Sequence, residues 1–317
     1  MQFDSKGAPT ATESELARRR GPRRKCRRPK SARHRGRNRR GRNPTKPRRH
    51  KGDKSKNAKM ATLVVMYTLK RQGKYLLGPI NRWHYASFAP KRHAFEIARR
   101  EADRRGFHQG TRKVIQVVND GDNDLACYTA EYFPEAIHTI DVMHVVEKLW
   151  QAGQCLHPEG SDELKAWMKL QKDRLYGSRE LWIVAELRKE LKAIPKSGPG
   201  NKGRRDRLTE VLNYVDKRLD KMNYADLINQ DLELGSGIVE GAIKTLIGKR
   251  CDHGGMRWIK ERAEAVVQLR CIEANGDWEA FMTFVHDRLQ TQARQDGSRP
   301  RLQTTEPAAL PELEEAV

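Results

Sequence analysis

The sequence predicts an α/β fold in which a block of helices interrupts the sheet-bearing part. Two patterns carry that expectation. Between Met60 and Trp150 short β-branched runs alternate with amphipathic stretches, and after Trp150 only the helical period remains. A third observation places chemistry on this frame, because two of the apolar runs end in an aspartate, Asp120 and Asp141.

Each element has its own signal. ATLVVMYTLK (61–70) is β-branched and apolar and closes at Gln72-Gly73, and GKYLLGPINRWHYASF (73–88) reads as a second strand region. Pro90 opens a helix through Arg105, with Ala94, Ile97, Ala98 and Ala102 on one side. KVIQVVND (113–120) is a buried-type strand, and a short helix follows it. AIHTID (136–141) is another strand, running into the helix DVMHVVEKLW. Within 161–231, Leu181, Val184, Leu187, Leu191 and Ile194 form one helical stripe, and Leu208, Val211, Leu212, Val215, Leu219 and Met222 form a second. The loop SGPGNKG (197–203) between them suits an antiparallel pair. A last helical stretch, 236–273, carries Ile259, Ala263, Val266 and Val267, and 277–289 closes the fold.

Charge divides the chain of 317 residues. The formal net charge is +22, yet residues 16–59 hold 22 Lys+Arg and one acid, Asp53. The remainder from Met60 onward is close to neutral and long enough to bury a full core. No apolar run approaches the roughly 20 residues of a bilayer crossing, and the N-terminus has no secretory h-region. The scattered cysteines Cys26, Cys127, Cys155, Cys251 and Cys271 include no CxxC pair, which argues against a disulfide framework or a zinc ribbon.

The segment 16–59 is Arg-rich, interrupted by Gly, Pro and Asn, and nearly free of apolar side chains, so it is expected to be a disordered arm. Its arginines, among them Arg18, Arg19, Arg20, Arg23, Arg24, Arg39 and Arg40, suit phosphate contact without sequence readout. A solubilising or localisation run is the plainer alternative. Residues 293–317 read as a disordered acidic tail.

Four acids are candidates for metal-dependent chemistry. Asp120 and Asp141 end neighbouring strands, whose parallel pairing would bring both to the edge where open α/β sheets place ligands. Glu240, in LGSGIVEGAIKTLIGKR, opens a helix after Gly235-Ser236-Gly237, and Asp4 follows Phe3 near the start. Converging carboxylates hold hard divalent cations suited to phosphodiester chemistry; taken singly, each reads equally as a turn or helix cap. The run Asp120 to Glu131 imitates a calcium loop, but Leu125 stands where the sharp turn needs Gly. His144, three residues beyond Asp141, would face the same edge. The stretch 248–264 mixes Lys249, Arg250 and Arg257 with Trp258, a set able to grip a DNA strand or simply to form a helix–loop–helix joint.

Taken together, VVNDGDNDLA, HTIDVMHVVEKLW and SGIVEGAIKTLIGKRCDHGGMRW resemble, in that order, the DDE transposases of bacterial insertion sequences, in the broad Mutator-like group. The resemblance covers roughly residues 60–290. It implies an RNase H-like sheet with an all-helical insertion before the glutamate helix. The implied organisation is a truncated first strand at 1–15, the inserted arm at 16–59 and an α/β core at 60–153. The insertion then spans 154–233, completing helices 234–292 and the tail 293–317. Asp4, Asp120 and Glu240 are implied as the catalytic acids holding two Mg²⁺ ions, with Mn²⁺ a substitute. Asp141 and His144 match the Cys/Asp-x-x-His signature that supports the site. The implied activity is cleavage and strand transfer on transposon ends and target DNA by a homo-oligomer in the bacterial cytoplasm, at the nucleoid. No DNA-recognition region precedes Asp4, so the resemblance is to the C-terminal part of such an enzyme. The alternatives are an inactive transposase-derived remnant that binds DNA or RNA, and a stand-alone RNase H-like nuclease, against which the long insertion counts.

The charge division predicts how salt acts. DNA affinity, read by mobility shift across a salt series, should fall steeply for the intact chain and less steeply for one lacking residues 16–59. Equal slopes would show that the arm makes no phosphate contacts.

Overall fold

A computed structural model describes residues 1–20, 58–73, 75–108, 110, 113–253 and 256–295. The fold is α/β, with a mixed five-stranded sheet in the order β3-β2-β1-β4-β5. The strands are β1 (Gln2–Pro9), β2 (Ala58–Gln72), β3 (Tyr75–Ser87), β4 (Gln116–Asn119) and β5 (Ile137–Ile140). Helix α1 (Glu13–Arg20) follows β1, α2 (Lys91–Arg104) precedes β4, and α3 (Asn123–Tyr132) joins β4 to β5. A helical block then comprises α4 (Val142–Leu156), α5 (Asp162–Tyr176), α6 (Glu180–Ala193), α7 (Asn201–Asp216) and α8 (Tyr224–Asn229). The chain returns through α9 (Gly237–Ala242), a π-helical segment Ile243–Gly248, α10 (Lys249–Cys251) and α11 (Lys260–Asn275). Residues Met1–Cys271 form one compact unit; a second, Ile272–Val317, has α12 (Trp278–Gln295) as its main described element. Among the described residues no helix is long and apolar enough to cross a membrane.

Strand direction decides where the acids go. β4 and β5 run parallel, pairing Gln116–Asn119 with Ile137–Ile140, and β1 joins β4 in parallel through Gln2 and Val118. Two residues further on, Asp4 is level with Asp120. β2 lies antiparallel to β1 over all of Gln2–Pro9, so β1 runs on for five residues beyond Asp4. Asp4 therefore stands within β1 and not at its end. The unbroken backbone pairing with β2 holds the strand straight past the acid.

Alternation along β2 supplies two cores, one on each sheet face. Leu63 and Val65 pack with Val239, Ile243, Ile247 and Val267. Val64 and Met66 pack with Phe3, Phe95, Val117 and Phe133 on the other face. The helical block has its own core, in which the stripe residues Val184, Leu187, Leu208, Val211 and Val215 are buried as their spacing predicts.

Helix α1 departs from the sequence reading. Thr12-Glu13-Ser14-Glu15 is a capping box: Glu15 N donates to Thr12 Oγ1 and Thr12 N to Glu15 Oε2, each at 3.3 Å. The helix therefore takes in residues 16–20, which the charge pattern assigned to a disordered arm, while residues 21–57 lie outside the described residues. At the other end α12 includes 293–295, and the rest of the expected tail is likewise outside them.

Phe3 anchors the strand that carries Asp4. It is 0% exposed, stacked on Phe95 at 4.0 Å between ring centroids and 6.3 Å from Phe133. Phe3→Ala should cost about 3–5 kcal/mol in urea unfolding. A loss under about 1 kcal/mol would mean that β1 is held by its backbone pairing alone.

Candidate active site

The parallel strands deliver three aspartates to one sheet edge. Asp120 follows β4. Asp141 follows β5, with its amide donating to Asn119 O at 2.9 Å, so the ladder continues to the acid itself. Burial raises the Asp4 carboxyl to about 6; the Ser5 amide offsets this, Asp120 adds to the rise, His144 lowers it and Glu240 raises it. Those influences place three ionisable groups, Asp120, His144 and Glu240, around Asp4. Among the described residues, none of Asp4, Asp120 and Glu240 is ion-paired with Lys or Arg. Nearby Asp122 and Asp124 contrast with them. Lys91 reaches both, at 2.8 and 3.1 Å, and Asp122 caps α3, so the acids of the imitation calcium loop are used structurally.

Glu240 reaches this edge because buried polar side chains seize the returning chain. Gln116 Nε2 donates to Glu233 O at 2.7 Å and its Oε1 accepts from Glu233 N at 2.9 Å, imitating a strand partner. Gln2 Nε2 donates to Gly235 O at 2.9 Å, and its Oε1 accepts from Val239 N at 2.9 Å. Asp141, 1% exposed, accepts from Met143 N at 2.7 Å, capping α4. Its other oxygen accepts from Ser236 N at 3.0 Å and from the Ser236 hydroxyl, which also faces Glu240 Oε1 at 3.2 Å. The segment is thereby fixed by β1, by β4 and by the end of β5, and Glu240 follows one turn later. A π-helical segment follows α9, a form frequent at functional sites.

His144, on the first turn of α4, completes a potential metal set. One ligand atom each from Asp141, His144 and Glu240 lies within 4.8 Å of the other two. The structure thus brings all the acids expected from sequence to one edge. Among the described residues the set of Asp141, His144 and Glu240 is the one group close enough to share an ion; it pairs Glu240 with the two residues read as supporting, and Asp4 and Asp120 are not in it.

Asn119 and His138 fix the approach to Asp120. Gly121 N donates to Asn119 Oδ1 at 3.0 Å, which leaves Asn119 Nδ2 to donate to His138 Nε2 at 2.8 Å. That ring nitrogen must be unprotonated, and burial, helped by the charge of Lys221, lowers His138 to about 4. Asn119, His138 and Ser236 lie inside the quoted motifs without a role assigned to them, and Gln2 and Gln116 lie outside any motif. Polar residues inside otherwise apolar strands were the available signal.

The DNA-contact residues divide. Lys249, Arg250 and Arg257 are exposed. Trp258, half-buried, is held in place by structural contacts. Its indole donates to Arg250 O at 2.8 Å, its carbonyl accepts from Ala11 N at 2.9 Å, and its ring packs on the core. It joins the 248–258 loop to the end of β1, the plainer reading of that stretch. Arg18, Arg19 and Arg20 lie on α1; Arg23, Arg24, Arg39 and Arg40 fall outside the described residues. Searches against protein-family models, curated proteins and solved structures find no match to the chain.

Two groups at this edge answer acid in opposite senses. The folded chain binds the Asp4 proton first, so falling pH stabilises the fold between about 6 and the ordinary 3.8. For His138 the unfolded chain binds first, so falling pH destabilises it between the ordinary 6.5 and about 4. Asp4→Asn should stabilise the metal-free protein at pH 8 by about 1–2 kcal/mol, with no advantage left near pH 4. His138→Gln should remove the acid-induced loss. Urea titrations at pH 8, 6 and 4 check both; a gap between Asp4→Asn and wild type that does not vary with pH would contradict the buried-charge account.

Proposed function

We propose that this chain is the catalytic domain of a DDE-type transposase, cleaving DNA strands and joining them to a target. One observation carries the reading. Acids from three distant segments, Asp4, Asp120 and Glu240, meet at the carboxyl edge of a sheet with no basic partner among the described residues. Such a concentration of unpaired carboxylates is unfavourable unless something positive is bound there. The mixed sheet, with a helical block ahead of the glutamate helix, fits the RNase H-like arrangement that the motif resemblance implies.

The donor set suits a hard divalent cation, since it is carboxylate oxygen with one imidazole. Asp4, Asp120 and Glu240 would hold two Mg²⁺ ions, or Mn²⁺ in their place, with Asp141 and His144 in support. When bound, such ions supply charge neutralisation and activate water, then a 3′-OH, for attack on phosphorus. The chain's own residues supply position. Asp141 holds Ser236 by its amide and hydroxyl, and so fixes the start of the helix that carries Glu240. Lys249, Arg250 and Arg257 stand ready for backbone phosphates, and the arginines of the arm extend that contact. Phosphoryl transfer of this kind depends mainly on positioning and charge stabilisation. DNA is the partner, met as transposon end and target, by a homo-oligomer at the bacterial nucleoid.

The second reading, a remnant that binds DNA or RNA without cutting it, needs only the arm. A labelled terminal-repeat oligonucleotide separates the two. With Mg²⁺ the catalytic domain nicks it, and Asp120→Ala or Glu240→Ala lowers the rate at least about 100-fold while the mobility shift survives. Full activity in either variant would sink the assignment, and a shift without nicking in the wild type would favour the remnant.

A further inference from the structure

The helical block grips the candidate site through α7. The Tyr214 hydroxyl donates to the Asp120 carbonyl at 2.9 Å. One turn later Arg218 donates to the Gly121 carbonyl, from Nε at 3.0 Å and from Nη2 at 2.6 Å, and Nη2 also reaches Asn123 Oδ1 at 2.9 Å. The guanidinium lies over the Tyr214 ring, 4.3 Å from its centroid, and Nη1 donates to Tyr214 O at 3.0 Å. The two side chains therefore act as one unit. Burial raises the Tyr214 phenol to about 12, so it remains a proton donor at any physiological pH.

The far side of the same peptide is held as well. Gly121 N is bound by Asn119 Oδ1 at 3.0 Å, and Asp122 N donates to Asp120 Oδ1 at 2.9 Å. Gly121 has φ +82°, and a Cβ there would stand 2.9 Å from both Arg218 Nε and the Tyr214 hydroxyl oxygen. Only glycine lets both donors close on this turn. Since α7 is itself fixed by buried Leu208, Val211, Leu212 and Val215, the grip is as rigid as the core of the block.

We propose that Tyr214 and Arg218 are positioning residues for Asp120. By holding the carbonyls of Asp120 and Gly121, the helical block sets the direction in which the Asp120 carboxylate leaves the strand end. The block is then a working part of the site, and its role rests on the metal-centre reading given above. Supporting contacts behind metal ligands are worth about 10–100-fold in metal affinity.

The test is Mn²⁺ titration of the full chain by electron paramagnetic resonance, with amide exchange of Gly121 and Asp122 measured on the metal-free protein. Tyr214→Phe deletes one hydroxyl and keeps the ring; Arg218→Lys keeps the charge and loses the fork. Each should weaken Mn²⁺ binding about 10-fold and speed exchange at both amides. Arg188→Met is the control. It breaks the 2.8 Å ion pair of Arg188 with Asp216, between α6 and α7, without touching the Asp120 turn, and should leave affinity unchanged. Unaltered affinity in both Tyr214→Phe and Arg218→Lys overturns the proposal, as does an equal loss in Arg188→Met. A wild type that binds no Mn²⁺ defeats the metal-centre reading instead. Amide exchange then decides the grip by itself: faster exchange in Tyr214→Phe upholds it, and unchanged exchange overturns it.

Discussion

The buried carboxylate of Asp141 is the interaction on which the site depends. It is nearly inaccessible to water and has no Lys or Arg partner among the described residues, yet it is held by the Met143 amide, the Ser236 amide and the Ser236 hydroxyl. A buried charge is tolerable when enough donors converge on it. Here those donors belong to two chain segments almost a hundred residues apart. One carboxylate thus ends β5, starts α4 and fastens the loop that delivers Glu240. Without it the chain leaving the helical block would have no fixed landing place on the sheet.

Gln2 and Gln116 share this task by a different route. Each is the buried first residue of its strand, and each offers an amide to the backbone of residues 233–239 as a neighbouring strand would. The returning segment is thus treated as a short extra strand, though its pairing comes from side chains. Such contacts fix position without repetition, which suits a single crossing of the sheet better than an extended ladder.

The same edge collects unbalanced negative charge, while the structural acids nearby are neutralised by Lys91. Sites arranged for binding commonly carry interactions that disfavour the empty fold. β1 and β2 extend the sheet beyond Asp4 on this side, ending at Pro9 and Ala58. Pro9 and Ala58, paired at the end of that ladder, therefore lie beyond Asp4 on the side of the sheet that bears the acids.

The periodic features were legible in the sequence by itself. β-Branched runs marked the sheet, 3.6-residue stripes marked the helical block, and strand-end aspartates marked the edge, because such patterns arise from local geometry and burial. Helix α1 had its signal too, in Thr12 and Glu15, masked by the charge that follows. Tertiary structure alone decided the rest. That Asp4 is level with Asp120 depends on a parallel pairing between segments more than a hundred residues apart. That Trp258 packs on the core depends on where β1 ends. That Gln2, Gln116, Ser236, Tyr214 and Arg218 serve the site depends on contacts with no period and no fixed spacing. Sequence determined which residues could carry charge and which faces must be buried; only folding determined which charges would meet, because that distance is set by strand order and not by chain separation.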